Sequence, residues 1–119
     1  MRAGVRLLLG AFLDGTLVGA GQLFMPAFPN ALHRAEIHKV VVAGKMRGRS
    51  VGTRLMTALH DAARTRGRCL LLLKARRGGP AETFYRKVGY REAGVIPGYS
   101  LGRGGQRHDS VAFYHELLG

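Results

Sequence analysis

The stretch Val40-Val41-Val42-Ala43-Gly44-Lys45-Met46-Arg47-Gly48-Arg49-Ser50-Val51-Gly52, carried on to Cys69, decides how this chain is read. Three β-branched residues predict a strand, and the basic, glycine-bearing residues 45–52 predict a turn. From Val51, the positions Leu55, Met56, Leu59, Ala62 and Ala63 recur at helical spacing, with Arg54, His60, Asp61, Arg64 and Arg66 largely elsewhere. Gly67 is the expected stop. A turn feeding a helix leaves the first helical N–H groups without intrahelical partners and adds the positive end of the helix dipole, so the place suits an anion. Gly48 and Gly52 allow close backbone approach, Arg47 and Arg49 add charge, and Ser50 is expected to cap the helix through its hydroxyl.

Beyond the helix, Cys69-Leu70-Leu71-Leu72-Leu73 is an unbroken apolar run that predicts a strand buried on both faces. Strand, helix and strand make a β-α-β unit, whose right-handed crossover would set the strands parallel with the ligand outside their carboxyl ends. The turn lacks the Gly-Lys-Ser/Thr ending of a nucleoside-triphosphate loop and the Gly-x-Gly-x-x-Gly of a dinucleotide fold.

Working outward, residues 5–13 form an apolar strand, Asp14-Gly15-Thr16 is a hairpin signal, and Leu17 to Phe24 is a second strand. Met25 to Asn30 is a proline-punctuated loop, and a third strand runs from about His33 to Val42. Downstream, Pro80 opens a second helix and Gly89 closes it. Tyr90 to Val95 is a strand that Pro97-Gly98 is expected to break; Gly102 to Arg107 reads as a flexible loop carrying on into His108 and Asp109, and Ser110 to Leu117 as a last strand. The predicted fold class is α/β (α+β): a mixed, largely antiparallel sheet in the order β-β-β-α-β-α-β-β, as one domain over residues 1–119.

Nineteen basic against seven acidic residues give a formal net charge of +12, which calls for an anionic partner. Ten basic residues between Lys45 and Arg77 face the single acid Asp61. Coenzyme phosphates or nucleic acid would both answer to such a surface. Aromatic residues do not interleave with the arginines as in single-strand binding platforms, so nucleic acid is the alternative rather than the expected partner. One cysteine excludes an internal disulfide, and no run is long enough for a membrane-spanning helix. The basic and apolar start runs directly into a hairpin rather than a cleavage site, so a cytoplasmic location is expected. The five histidines show no metal-ligand pairing with Cys69, and no metal is expected.

Arg47-x-x-Ser50-x-Gly52 resembles the Arg/Gln-x-x-Gly-x-Gly/Ala pyrophosphate motif of the GNAT family of acetyl-CoA-dependent N-acetyltransferases, with serine where glycine is usual. Pro80-Ala81-Glu82-Thr83-Phe84-Tyr85-Arg86-Lys87-Val88-Gly89-Tyr90 is similar to the family's second motif. The run 33–39, Phe84-Tyr85 and Pro97-Gly98-Tyr99 look most like its tabtoxin-resistance group. The family has a further strand and two helices ahead of the first hairpin, forming one wall of the acceptor cleft, and none is legible here.

What the resemblance implies is an N-acetyltransferase moving acetyl from acetyl-CoA to an amine of a small molecule or protein. Acetyl-CoA would be held by Val41 and Val42 through their backbone, by Arg47, Gly48, Arg49, Ser50, Val51 and Gly52 at its pyrophosphate, and by Tyr85. Tyr85 would be the general acid, with a core tyrosine as the plain alternative. Glu36 would be the base, directly or through water, with an outward-facing charge or an ion pair as its alternative. His38, on the same face as Glu36 and Val40, could serve instead. Lys74 stands where some members carry a helping acid, and Asp109 and His108 could meet substrate. Without covering helices the first strand would be an exposed edge, and a homodimer is expected. A protein of this fold that binds coenzyme A without turnover is a further alternative.

Overall fold

The computed structural model describes residues 4–44 and 50–117 and falls into two compact units, Met1–Leu71 with Glu116–Gly119, and Leu72–His115. The elements are β1 (Gly4–Leu13), β2 (Thr16–Pro26), a 3₁₀ turn (Pro29–Ala31), β3 (Arg34–Val42), α1 (Val51–Thr65), β4 (Leu70–Arg76), α2 (Pro80–Val88), β5 (Arg91–Leu101), a second 3₁₀ turn (Arg103–Gly105) and β6 (Arg107–Glu116). The expected order is present. The strands form a six-stranded sheet in the order β1-β2-β3-β4-β6-β5.

In the first unit, β1 and β2 are joined by the two-residue turn Asp14-Gly15, with φ of 50° and 80°. Positive φ at both centres matches the right-handed twist of the flanking strands, and glycine accepts it without cost. Two register shifts follow. One places an extra residue of β2 opposite Ala11/Phe12. The other lies on β3, where Gln22 pairs with His38 but Ala20 pairs with Val41, leaving Lys39 at φ 52° as the bulged residue.

Helix α1 packs its buried residues Leu55, Met56, Leu59, His60 and Ala63 on the face of β2 and β3 that carries Gly21 and Val40. A Cβ on Gly21 would lie 3.0 Å from Leu59 Cδ1, so this glycine lets the helix come close. His60, expected on the solvent side, is buried, because it follows Met56 by one helical turn. The helix ends as its sequence predicts: Gly67 takes φ 75°, its N–H donates to Arg64 O, and Arg68 N–H donates to Ala63 O, a Schellman closure. Arg68 then turns inward and donates to the carbonyls of Pro26, Ala31 and Arg34 at 2.8, 3.1 and 3.2 Å. That arginine ties down the β2–β3 connection instead of joining the basic surface.

The apolar run of β4 is not buried on both faces. Burial alternates, with Leu71, Leu73 and Ala75 inside, Leu70 and Leu72 partly covered, and Cys69 exposed. In the second unit Phe113 and Val111 are the most deeply buried residues. Pro97-Gly98 does not break β5, which continues to Leu101 by bulging: Ile96 pairs with Ser110 and Ser100 with His108. Gly98 takes φ 59°, its N–H donates to Asp109 Oδ1 at 2.8 Å, and its carbonyl accepts from Arg107 Nε at 3.0 Å. The strand lies at the sheet edge, where a missing proline N–H is tolerated. His108 and Asp109 therefore belong to β6 rather than to a loop, and residues 102–106 are a tight turn closed by Gly102 N–H to Gln106 O.

Candidate active site

The basic turn comes first. Lys45 to Arg49 lie outside the described residues, so the assignments of Arg47, Gly48 and Arg49 rest on sequence. From Ser50 onward the chain is placed. Ser50 is the N-cap of α1 in the left-handed conformation, φ 65° and ψ 10°, and its hydroxyl makes no cap hydrogen bond. The expected side-chain cap is absent for a backbone reason: a hydroxyl caps from an extended N-cap residue, and this one is left-handed. The first helical bond runs from Arg54 N–H to Ser50 O at 3.0 Å. The N–H groups of Val51, Gly52 and Thr53 precede it, and no acidic side chain occupies the first turn. That end of the helix suits a pyrophosphate.

On β3, Glu36 and His38 share a face, as their spacing predicts, and their side chains meet: His38 Nε2 lies 3.0 Å from Glu36 Oε1. On the other side of the ring, Arg6 Nη1 lies 2.9 Å from His38 Nδ1 and donates to Gln22 Oε1 at 2.9 Å. Arginine can only donate, so Nδ1 accepts and the ring proton sits on Nε2, directed at the carboxylate. Phe24 holds the cluster flat, with His38 stacked at 6.2 Å and Arg6 over its ring at 4.9 Å. Both Glu36 and His38 stay about a third exposed, open enough to meet a substrate. The bulge at Lys39 changes what stands beside them. Val41 continues the Glu36–His38 face and is exposed, whereas Val40 turns to α1.

On α2, Tyr85 is buried, its ring against Phe84, Tyr90 and Phe113 at centroid distances of 5.4, 5.8 and 6.3 Å. Burial raises its pKa above the ordinary 10.0, so the phenol keeps its proton at neutral pH. Tyr90 is raised too, first by burial and then by Tyr85 beside it. Pro80 and Gly89 frame α2 as expected, and Glu82 Oε1 accepts from Gly78 N–H at 2.9 Å, which lowers its pKa. Lys74 lies over Tyr99 at 5.5 Å. No group of three or more metal-ligating side chains occurs among the described residues.

The sequence model of the acetyltransferase (GNAT) family matches residues 2–90, three quarters of the chain. The chain belongs to the GNAT family of acetyltransferases. Among solved GNAT-type structures, the ribosomal-protein-alanine N-acetyltransferase of Brucella melitensis is 26% identical, with a TM-score of 0.80 over 92% of this chain and 68% of that one. An aminoglycoside 6'-N-acetyltransferase complexed with coenzyme A is 22% identical (TM-score 0.78, 96% and 74% covered). The putative acetyltransferase yncA of Salmonella typhimurium, solved with acetyl-CoA, is 18% identical (TM-score 0.81, 94% and 65% covered). The last two likenesses concern the fold.

Within this GNAT chain the residue that sequence reading missed is Arg6. Its link to His38 depends on β1 pairing with β2 through the first register shift and on β2 pairing with β3, and neither leaves a mark at Arg6 itself. No described helix is long and apolar enough to cross a membrane.

Proposed function

We propose that this GNAT chain, acting as one domain over residues 1–119, transfers acetyl from acetyl-CoA to the nitrogen of an amine. The N-terminus of α1 carries this reading: backbone N–H groups without intrahelical partners, no acid in the first turn, and a motif that places Arg47 and Arg49 just before it. Acetyl-CoA supplies the activated acyl group. Val51, Gly52 and Ser50 would hold its pyrophosphate, together with Arg47, Gly48 and Arg49, and the backbone of Val41 and Val42 its pantetheine arm.

In the transfer the amine nitrogen bonds to the acyl carbon as the carbon–sulfur bond breaks. Glu36 takes the proton the nitrogen gives up, and His38, donating from Nε2, holds the carboxylate in one orientation. Tyr85 donates to the leaving sulfur. Since a thiol has an ordinary pKa of about 8.5 and this phenol lies above 10.0, complete transfer would run uphill by about 2 kcal/mol or more. Tyr85 therefore contributes chiefly a hydrogen bond that strengthens as negative charge gathers on sulfur.

The same reading takes the protein as a cytoplasmic homodimer paired through β1. That strand is the sheet edge, and Val5, Leu8, Phe12 and, from β2, Leu17 are exposed beside it. An edge that pairs antiparallel with its own copy satisfies the open backbone groups of that edge.

Acetyl-CoA at about 100 times its dissociation constant should stabilise the fold by about 2.7 kcal/mol, read as a rise in melting temperature. No rise with acetyl-CoA, together with salt-sensitive binding of an oligonucleotide, would replace this reading by the nucleic-acid one.

A further inference from the structure

The unit Leu72–His115 contains an open cleft of about 710 Å³, lined by Arg76, Leu101, Gly102, Arg103, Gln106 and His108. Three local features build it. Arg76 is the last residue of β4 and is exposed. The turn between β5 and β6 is pulled tight by Gly102 N–H donating to Gln106 O at 2.7 Å and Gly105 N–H to Gly102 O at 3.2 Å, which sets Arg103 and Gln106 on its rim. His108 lays its imidazole on Gly102 so closely that any Cβ there would collide with Nε2. The imidazole lines the cleft beside that glycine.

The charge lining this cleft is one-sided. Most arginines in the protein with a described contact are committed elsewhere: Arg86 to Glu82 and Glu92, Arg64 to Asp61, Arg107 to Gly98 O, Arg68 to three carbonyls. Arg76 and Arg103 have no acidic partner among the described residues. The nearest acid in sequence, Asp109, alternates to the other face of β6 from His108 and spends its carboxylate on Gly98 N–H. Two guanidiniums held in one concavity without a counter-charge favour an anion that can take forked hydrogen bonds from them. The volume is that of a small-molecule site, and Leu101, three-quarters exposed, offers an apolar contact beside the charged rim.

We propose that this cleft binds the anionic group, carboxylate or phosphate, of a small molecule. A polycationic amine would meet Arg76 and Arg103 with like charge. The α1 turn, by contrast, draws on different residues for coenzyme phosphates, so the two basic regions need not share one ligand.

Calorimetric titration of inorganic phosphate and succinate into wild type and into the double variant Arg76→Gln/Arg103→Gln tests this. The variant should bind them at least about 10-fold more weakly while its thermal shift with acetyl-CoA is unchanged. Gln106→Glu, which adds a carboxylate and removes no arginine, should weaken them likewise. Equal binding in all three proteins overturns the cleft.

Discussion

Replacing Ser50 tests how the first turn of α1 is made. Ser50 sits at φ 65°, and its hydroxyl makes no hydrogen bond to the helix it caps. A side chain with a Cβ pays about 1–2 kcal/mol for the left-handed conformation. Glycine removes that cost but brings back about 0.5–1 kcal/mol of backbone entropy in the unfolded chain. Ser50→Gly should therefore stabilise the protein by about 0.5–1 kcal/mol, a rise of about 2–5 °C in melting temperature for a domain of this size. Ser50→Ala keeps the Cβ and loses only the hydroxyl, so it should be neutral within about 0.5 kcal/mol. A capping hydroxyl would give the opposite pattern, with Ala costing about 1 kcal/mol and Gly a few tenths. Urea denaturation of the three proteins, compared at constant m-value, separates the cases. A loss of about 1 kcal/mol in Ser50→Ala would refute the backbone argument, whatever Ser50→Gly does.

Tyr85 and Tyr90 should make the fold sensitive to alkali. Burial keeps both phenols protonated in the folded state, whereas the unfolded chain releases those protons above pH 10.0, so stability is level below that pH and falls as pH rises past it. The slope should be about 1.4 kcal/mol per pH unit for each tyrosine, and Tyr85→Phe or Tyr90→Phe should each remove one share, read from urea midpoints between pH 9 and about pH 11. For catalysis, Tyr85→Phe should lower kcat by about 10²-fold or more with little change in acetyl-CoA affinity; an unchanged kcat leaves Tyr85 as a packing residue. Glu36→Gln should lower turnover most at acid pH, where the acceptor is protonated, and Arg6→Gln should lower kcat less than Glu36→Gln does, since Arg6 acts only through the tautomer of His38. Sedimentation at micromolar concentration should give twice the monomer mass, and Leu8→Lys in the exposed row of β1 should return the monomer.

The features legible in the sequence are those that one or two residues dictate through their own backbone. Asp14-Gly15 supplies the two positive φ values of its turn, Gly67 closes α1, and Pro80 and Gly89 bracket α2. The spacing of Leu55, Met56 and Leu59 likewise finds the inner face of α1, because the helical period is unbroken there. The alternation in β4 was hidden for a compositional reason. Four leucines in a row carry no polar residue to mark the outward positions, so half-buried and buried look alike until packing chooses.

Bulges explain the misses at Val40, at Pro97-Gly98 and at Arg6, and they matter most at the proposed site. Side chains on a strand alternate strictly, so one inserted residue exchanges the faces of everything beyond it. Lys39 has no feature that announces a left-handed residue, yet its φ of 52° is what sends Val41 outward with Glu36 and His38 and turns Val40 toward α1. The same arithmetic governs Arg6. Without the shift beside Ala11, β1 would slide by one position against β2, Arg6 would no longer sit opposite Phe24, and its guanidinium would leave the face that His38 occupies. The motif residues at 47–52 are contiguous and so can be read directly, whereas the Arg6–His38–Glu36 cluster is assembled across three strands and depends on the shift beside Ala11. A cluster built that way is fixed by register, and removing the extra residue of β2 opposite Ala11/Phe12 should part Arg6 from His38 and lower turnover as Arg6→Gln does, while Glu36 and His38 stay paired with β2.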